Sequence, residues 1–130
     1  MLITREMDYA VRIVRALHHL NQASATEIAK RENMPVAITY KMLGALLKAQ
    51  VVKSIRGVNG GYYLTHPTST FTLYDLFGAI DNSLYITECM LSGHECPNNR
   101  AGQCKTHKEY LRIQNIVKEE FQKTTLDKLC

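Results

Sequence analysis

Hydrophobic residues recur at three- and four-residue steps along residues 4–21: Met7, Ala10, Val11, Val14, Leu17 and Leu20. That period puts them on one face of an α-helix. Thr4 is placed to cap this helix, and Glu6 and Asp8 fall in its first turn, where the helix dipole favours acids. Ser24-Ala25-Thr26-Glu27 has capping-box spacing. It predicts a second helix with Ile28 and Ala29 inward, ending near Asn33. Pro35 suits the first turn of a third helix, Pro35 to Ala49. There Met42, Leu43, Leu46 and Leu47 form an inward stripe, with Ala37, Lys41, Gly44 and Lys48 opposite. Two short helices joined by a tight turn make a helix-turn-helix pattern.

The pattern then changes. Val51 to Ile55 and Tyr62 to Leu64 are rich in β-formers and flank Arg56-Gly57-Val58-Asn59-Gly60-Gly61. This predicts a β-hairpin with a glycine-rich tip, which after a helix-turn-helix reads as a wing. A short helix is expected from Thr72 to Asn82, with Leu73, Leu76, Phe77 and Ile80 on one side. Glu88 to Cys104, with Gly93, Pro97, two adjacent asparagines and Gly102, reads as loop. A long helix follows from about Thr106 to Lys123. Tyr110, Ile113, Val117 and Phe121 line one side of it, with Ile116 nearby. Thr125 to Leu129 reads as a terminal turn. The expected fold is mainly α with a small β-hairpin: a winged helix-turn-helix followed by a long C-terminal helix. Residues 1–66 form the DNA-binding region and residues 67–130 the loop and long helix, within one compact domain.

A length of 130 residues fits one domain, and 45% hydrophobic residues suffice for a core. The charge is unevenly spread. Residues 1–66 carry nine Lys or Arg against four acids, and residues 67–130 carry seven against eight. The first half is therefore the one expected to meet phosphate. No stretch approaches the ~20 apolar residues of a membrane span. No signal peptide is evident, so a cytoplasmic location is expected.

The third helix would enter a major groove, with Ile38, Tyr40 and Lys41 as candidate contacts. Lys41 could reach a guanine or a phosphate, Tyr40 a base edge, and Ile38 a thymine methyl. The competing reading packs Ile38 and Tyr40 on neighbouring helices. At the wing, Arg56 lies beside Gly57 and before Asn59-Gly60-Gly61. Glycines let backbone approach phosphate, and an arginine there can reach a narrow minor groove.

The chemistry-bearing cluster is Cys89, Cys96, Cys104 and His107, spaced C-x6-C-x7-C-x2-H. Cysteines in a reducing compartment are more often ligands or redox groups than disulfides. The fourth cysteine, Cys130, ends the chain, which leaves three clustered thiols, an odd number. Zinc sites usually show tight C-x2-4-C knuckles, absent here. The wider loops suit an iron–sulfur cluster, and His107, one turn after Cys104, makes a Cys3His set economical. His94 or Asp8 of the partner subunit could replace His107, and the thiols could act without a cofactor. No nucleophile with a partnered base, phosphate loop or carboxylate pair indicates an enzyme. An electron-transfer or cluster-carrier protein is a weaker competitor, since it leaves the wing without a use.

The chain resembles the Rrf-two family of bacterial winged-helix transcriptional regulators. Thr4-Arg5-Glu6-Met7-Asp8-Tyr9-Ala10 is similar to the family's opening motif. Ile28-Ala29 through Arg56-Gly57-Val58-Asn59-Gly60-Gly61-Tyr62-Tyr63-Leu64 resembles its recognition helix and wing. Cys104-Lys105-Thr106-His107 looks like the C-x-T-H stretch of the IscR branch, and Thr125 to Leu129 matches the closing turn. Tyr9 in the opening motif is a further candidate DNA contact, beside Ile38, Tyr40, Lys41, Arg56, Asn59, Gly60 and Gly61. The resemblance implies a homodimer whose long helices cross, using Tyr110, Ile113, Ile116, Val117 and Phe121. It further implies a cluster held by Cys89, Cys96, Cys104 and His107, [2Fe–2S] favoured over the [4Fe–4S] of the NsrR branch. The chain departs from the family at Ile38, where a tyrosine is usual, and at Ala49-Gln50-Val51, where the family has a glycine. That turn must form without one.

Overall fold

The computed structural model describes residues 2–81, 84–98, 100 and 102–130. Among the described residues, five helices and one hairpin follow in chain order: α1 Arg5–Leu20, α2 Ala25–Arg31, α3 Val36–Lys48, β1 Val52–Ile55, β2 Gly61–Leu64, α4 Leu73–Ile80 and α5 Lys105–Lys123. Short 3-10 turns cover Glu88–Met90 and Leu126–Leu129. This is a winged helix-turn-helix with a long C-terminal helix.

Local chemistry sets most boundaries. Thr4 caps α1 by accepting from the Met7 amide, and Ser24 and Glu27 complete the capping box of α2. Thr72 and Asp75 form a second capping box at α4. The expected end of α4 at Asn82, and the second of the adjacent asparagines, Asn99, lie outside the described residues. Pro35 sits at the N-cap of α3 rather than inside its first turn.

The turn after α3 closes without glycine. The Val51 amide donates to Leu46 O at 2.9 Å and the Gln50 amide to Leu47 O at 3.0 Å, the paired bonds of a Schellman motif. Gln50 takes the left-handed conformation, φ 60°. Val51 and Leu46 are both buried, which supplies the apolar contact such a turn prefers.

Helix α1 is central. It packs against α2, α3, α4, β2 and the terminal turn. It buries Met7, Ala10, Ile13, Val14, Ala16 and Leu17. Of the stripe read from the sequence, Val11 is half-buried and Leu20 exposed, while Ile13 and Ala16 turn inward. A helix covered from several sides buries a wider arc than one stripe. From α3 come Met42, Leu43 and Leu46, and from α4 Leu76 and Phe77. Leu126 of the terminal turn is 1% exposed and completes the same cluster. The Leu73 amide donates to Thr124 O and the Leu126 amide to Phe71 O, each at 2.9 Å, which ties the end of the chain to α4.

Strands β1 and β2 pair antiparallel, Val52 opposite Leu64 and Ile55 opposite Gly61. Ala23 adds a bridge on the far side of β2: its amide donates to Tyr62 O at 3.1 Å, and the Tyr62 amide donates back at 2.8 Å. The wing is thereby fastened to the α1–α2 turn.

Candidate nucleic-acid interface and sulfur-lined cavity

Helix α3 presents Val36, Ala37, Tyr40, Lys41, Gly44 and Lys48 to solvent. Tyr40 is 53% exposed. Ile38 instead is half-buried against the core, so it offers little surface beyond the protein. Lys41 Nζ donates to Glu6 at 2.6 Å, and both side chains stay more than half exposed. Tyr9 is half-buried, with the Arg12 guanidinium 5.9 Å from its ring centre.

Behind α3, two arginines of α1 hold the α2–α3 turn. Arg15 Nε donates to Glu32 Oε2 at 3.1 Å, and Arg12 Nη1 donates to Glu32 O at 3.3 Å. The Glu32 side chain is 6% exposed. The hydrogen bond to Glu32 holds the Arg15 guanidinium above its ordinary pKa. These contacts fix the angle between α1 and the recognition helix. Sequence reading missed them, because a buried charge partner between helices has no local signature.

Arg56, Val58 and Asn59 stand exposed at the wing tip. Gln22 Nε2 donates to Asn59 O at 2.7 Å, a second tether to the α1–α2 turn. Gly60 and Gly61 serve the chain itself. A Cβ at Gly60 would meet Ile55 O at 2.2 Å, and one at Gly61, φ +152°, would meet the Ala23 backbone at 2.8 Å. Their missing side chains let the wing close on its own backbone.

The second site lies where the loop meets α5. Cys104 is the N-cap of α5, its Sγ accepting from the His107 amide at 3.4 Å. That amide is the main cause holding the Cys104 thiol below its ordinary pKa. The Cys89 thiol lies 3.4 Å from His107 Nδ1. Cys89, Cys96, Cys104 and His107 all line one cavity of about 310 Å³, together with His94, Arg100 and Tyr110. Among the described residues, no three His, Cys, Asp or Glu side chains converge closely enough to hold a single metal ion. The donors ring a space instead of meeting at a point. A soft thiolate and imidazole set around such a space fits a polynuclear iron–sulfur group better than one ion. Asp8 is engaged within its own chain, accepting from Arg12 Nε at 2.9 Å.

The long helix divides its apolar residues. Tyr110, Ile113 and Ile116 are 41%, 37% and 48% exposed. Val117 is half-buried, and Phe121 turns to the chain's own core, edge-to-face with Phe77 at 5.3 Å. The outward set is therefore narrower than the stripe in the sequence, because α4 takes up the end of it. Leu111, which that stripe omitted, is also exposed at 45%.

A helix-turn-helix with a tethered wing, a basic first half and an exposed recognition helix defines a DNA-binding transcriptional regulator. Residues 3–130 match the sequence model of the Rrf2 family, described as an iron-dependent transcriptional regulator. The chain belongs to the Rrf2 family. It is 30% identical to Protein aau3 of Rhizobium meliloti (strain 1021), over 99% of this chain and 84% of the relative. It is 26% identical to the HTH-type transcriptional regulator IscR of Vibrio campbellii, over 99% of this chain and 77% of the relative. Among solved structures it is similar to CymR, the global cysteine regulator of B. subtilis. That likeness has a TM-score of 0.74 and 27% identity, covering 98% of this chain and 94% of the other. The family, IscR and CymR are all described as regulators of transcription or of cysteine metabolism rather than enzymes. Among the described residues, no helix is long and apolar enough to cross a membrane.

Proposed function

We propose that this regulator senses iron–sulfur, redox or nitric oxide status through an iron–sulfur cluster and represses transcription accordingly. The observation that carries this reading is the shared cavity of Cys89, Cys96, Cys104 and His107 at the start of α5. The C-x-T-H stretch and the similarity to IscR support [2Fe–2S] over [4Fe–4S]. When bound, such a group supplies reversible one-electron chemistry and sensitivity to oxidants. His94 lines the same cavity and is the alternative fourth donor.

Residues 1–66 act as the reader and residues 67–130 as the sensing loop and dimer helix of one compact cytoplasmic domain. A second copy of the chain covers Tyr110, Ile113, Ile116 and Val117, with Phe121 at the margin. Two recognition helices then face a roughly palindromic operator. Tyr40 and Lys41 read the major groove, Ile38 and Tyr9 support that helix from its inner side, and Arg56 and Asn59 reach the adjacent backbone or minor groove. Gly60 and Gly61 shape the wing that presents them. Cys104 caps α5 and His107 lies in its first turn, so the way the loop is held is transmitted to the dimer helix. The spacing of the two recognition helices follows.

The test is iron and sulfide quantification on anaerobically isolated protein, followed by gel shifts with metal-loaded and metal-free forms. Bound iron and sulfide, with different operator affinities for the two forms, is the expected result. Equal affinity of both forms for every operator would sink the sensing mechanism. A second reading is a cofactor-free, thiol- or partner-controlled repressor on the same scaffold. The similarity to a cysteine regulator favours it, and colourless, iron-free protein would establish it.

A further inference from the structure

Gln114 is the sole buried residue of α5 among the described residues, at 8% exposure. A buried amide on an otherwise exposed helix needs partners for both ends. It has them. Gln114 Nε2 donates to Leu84 O at 2.7 Å, and Gln114 Oε1 accepts from the Ile86 amide at 2.8 Å. The side chain thus imitates a neighbouring β-strand, satisfying one acceptor and one donor two residues apart.

Seven residues earlier on the same helix face, His107 meets Cys89. Seven residues rise about 10.5 Å along a helix, and the three-residue step from Ile86 to Cys89 spans at most about 10 Å. Thr87, between them, is extended, with φ −152° and ψ 148°. The loop segment therefore runs along α5 in the opposite sense, held at one end by Gln114 and at the other by His107. Cys89 and His107 also line a second cavity, of about 560 Å³, between α4 and α5. The Cys89–His107 contact therefore stands between the two cavities, these being the residues that line both.

We propose that Gln114 is the positioning residue for Cys89, pinning residues 84–86 so that the thiol is delivered to His107. The Gln114 clamp is the fixed point of a strap, and the Cys89–His107 contact is its releasable point. This rests on the sensing reading and deepens it by naming what places one thiol, while its readouts in metal-free protein do not depend on iron.

The experiment compares wild type with Gln114→Met, which keeps length and removes both hydrogen bonds. Metal-free, reduced protein is used for two readouts: amide exchange at Ile86, and iodoacetamide labelling of Cys89 relative to Cys104. The expected result is about fivefold faster exchange at Ile86, the scale of one lost hydrogen bond, and a rise in the Cys89-to-Cys104 labelling ratio. Exchange at Leu43 in the core serves as control, since a merely destabilised fold would speed it equally and leave the ratio unchanged. An unchanged ratio overturns the proposal, as does Ile86 exchange that moves only in step with Leu43. Anaerobic reconstitution of both proteins with ferrous iron and inorganic sulfide separates the two ideas. Wild type that takes up no iron removes the cluster reading, while a raised Cys89 ratio in the variant still upholds the strap.

Discussion

Arg15 on α1 and Glu32 at the end of α2 form a forked ion pair in which the carboxylate is buried and the guanidinium half-exposed. Glu32 begins the turn into the recognition helix, so this pair orients α3 on α1. Arg15→Met leaves that carboxylate only the Arg31 guanidinium, at 4.0 Å. Full burial would make the cost larger, but solvent reaches the arginine side, so a loss of about 1–3 kcal/mol is expected. Urea denaturation measures it. Glu32→Gln, which keeps a hydrogen-bond acceptor, should cost less.

Gln50 occupies a left-handed position at the end of α3. A side chain there costs about 1 kcal/mol that glycine avoids, less the greater entropy glycine gains in the unfolded chain. Gln50→Gly should therefore raise stability by roughly 0.5 kcal/mol, and Gln50→Val should lower it. Thermal melts of the two variants give opposite shifts if the turn is as described.

Gly61 meets the Ala23 backbone where β2 joins the α1–α2 turn. Gly61→Ala cannot be accommodated without breaking the Ala23–Tyr62 bridge. A stability loss of about 2 kcal/mol and weakened operator binding are expected. Gln22→Ala removes only the tether to Asn59, so it should loosen the wing with little effect on the melt.

Lys41 pairs with Glu6 on the surface, and such a pair contributes at most about 0.5 kcal/mol to stability. Lys41→Ala should leave the melting curve nearly unchanged. Operator affinity should fall, and if Lys41 meets a phosphate the salt dependence should lose about one unit of slope. An unaltered affinity across salt concentrations would remove Lys41 from the interface.

The Glu27 carboxylate is held below its ordinary pKa by hydrogen bonds from Ser24. A depressed folded-state pKa contributes stability above the unfolded value and loses it as pH falls through the folded one. Acidification should thus weaken the capping box of α2. Glu27→Gln should show a shallower fall in stability across the carboxylate range, measured by denaturation at a series of pH values.

Much of the fold is written in local pattern. The capping box at Ser24, the stripe Met42-Leu43-Leu46 and the Gly-rich tip between two β-forming runs each act within a few residues, so spacing alone reveals them. That Cys89, Cys96, Cys104 and His107 would come together was legible for the same reason: thiols and an imidazole are rare and close in sequence. What only the tertiary structure decided is how distant segments use polar and small groups on one another. Periodicity counts Gln114 as a solvent position, but the returning loop makes it the buried clamp of α5. Arg15 and Glu32 look like surface charges until α1 crosses the α2–α3 turn. Gly60 and Gly61 look like room for phosphate until the wing closes on the Ile55 carbonyl at one and on Ala23 at the other. Phe121 looks like part of an outer stripe until α4 places Phe77 against it. Side-chain period reports which way a residue points along its own element. Only packing supplies what it meets there.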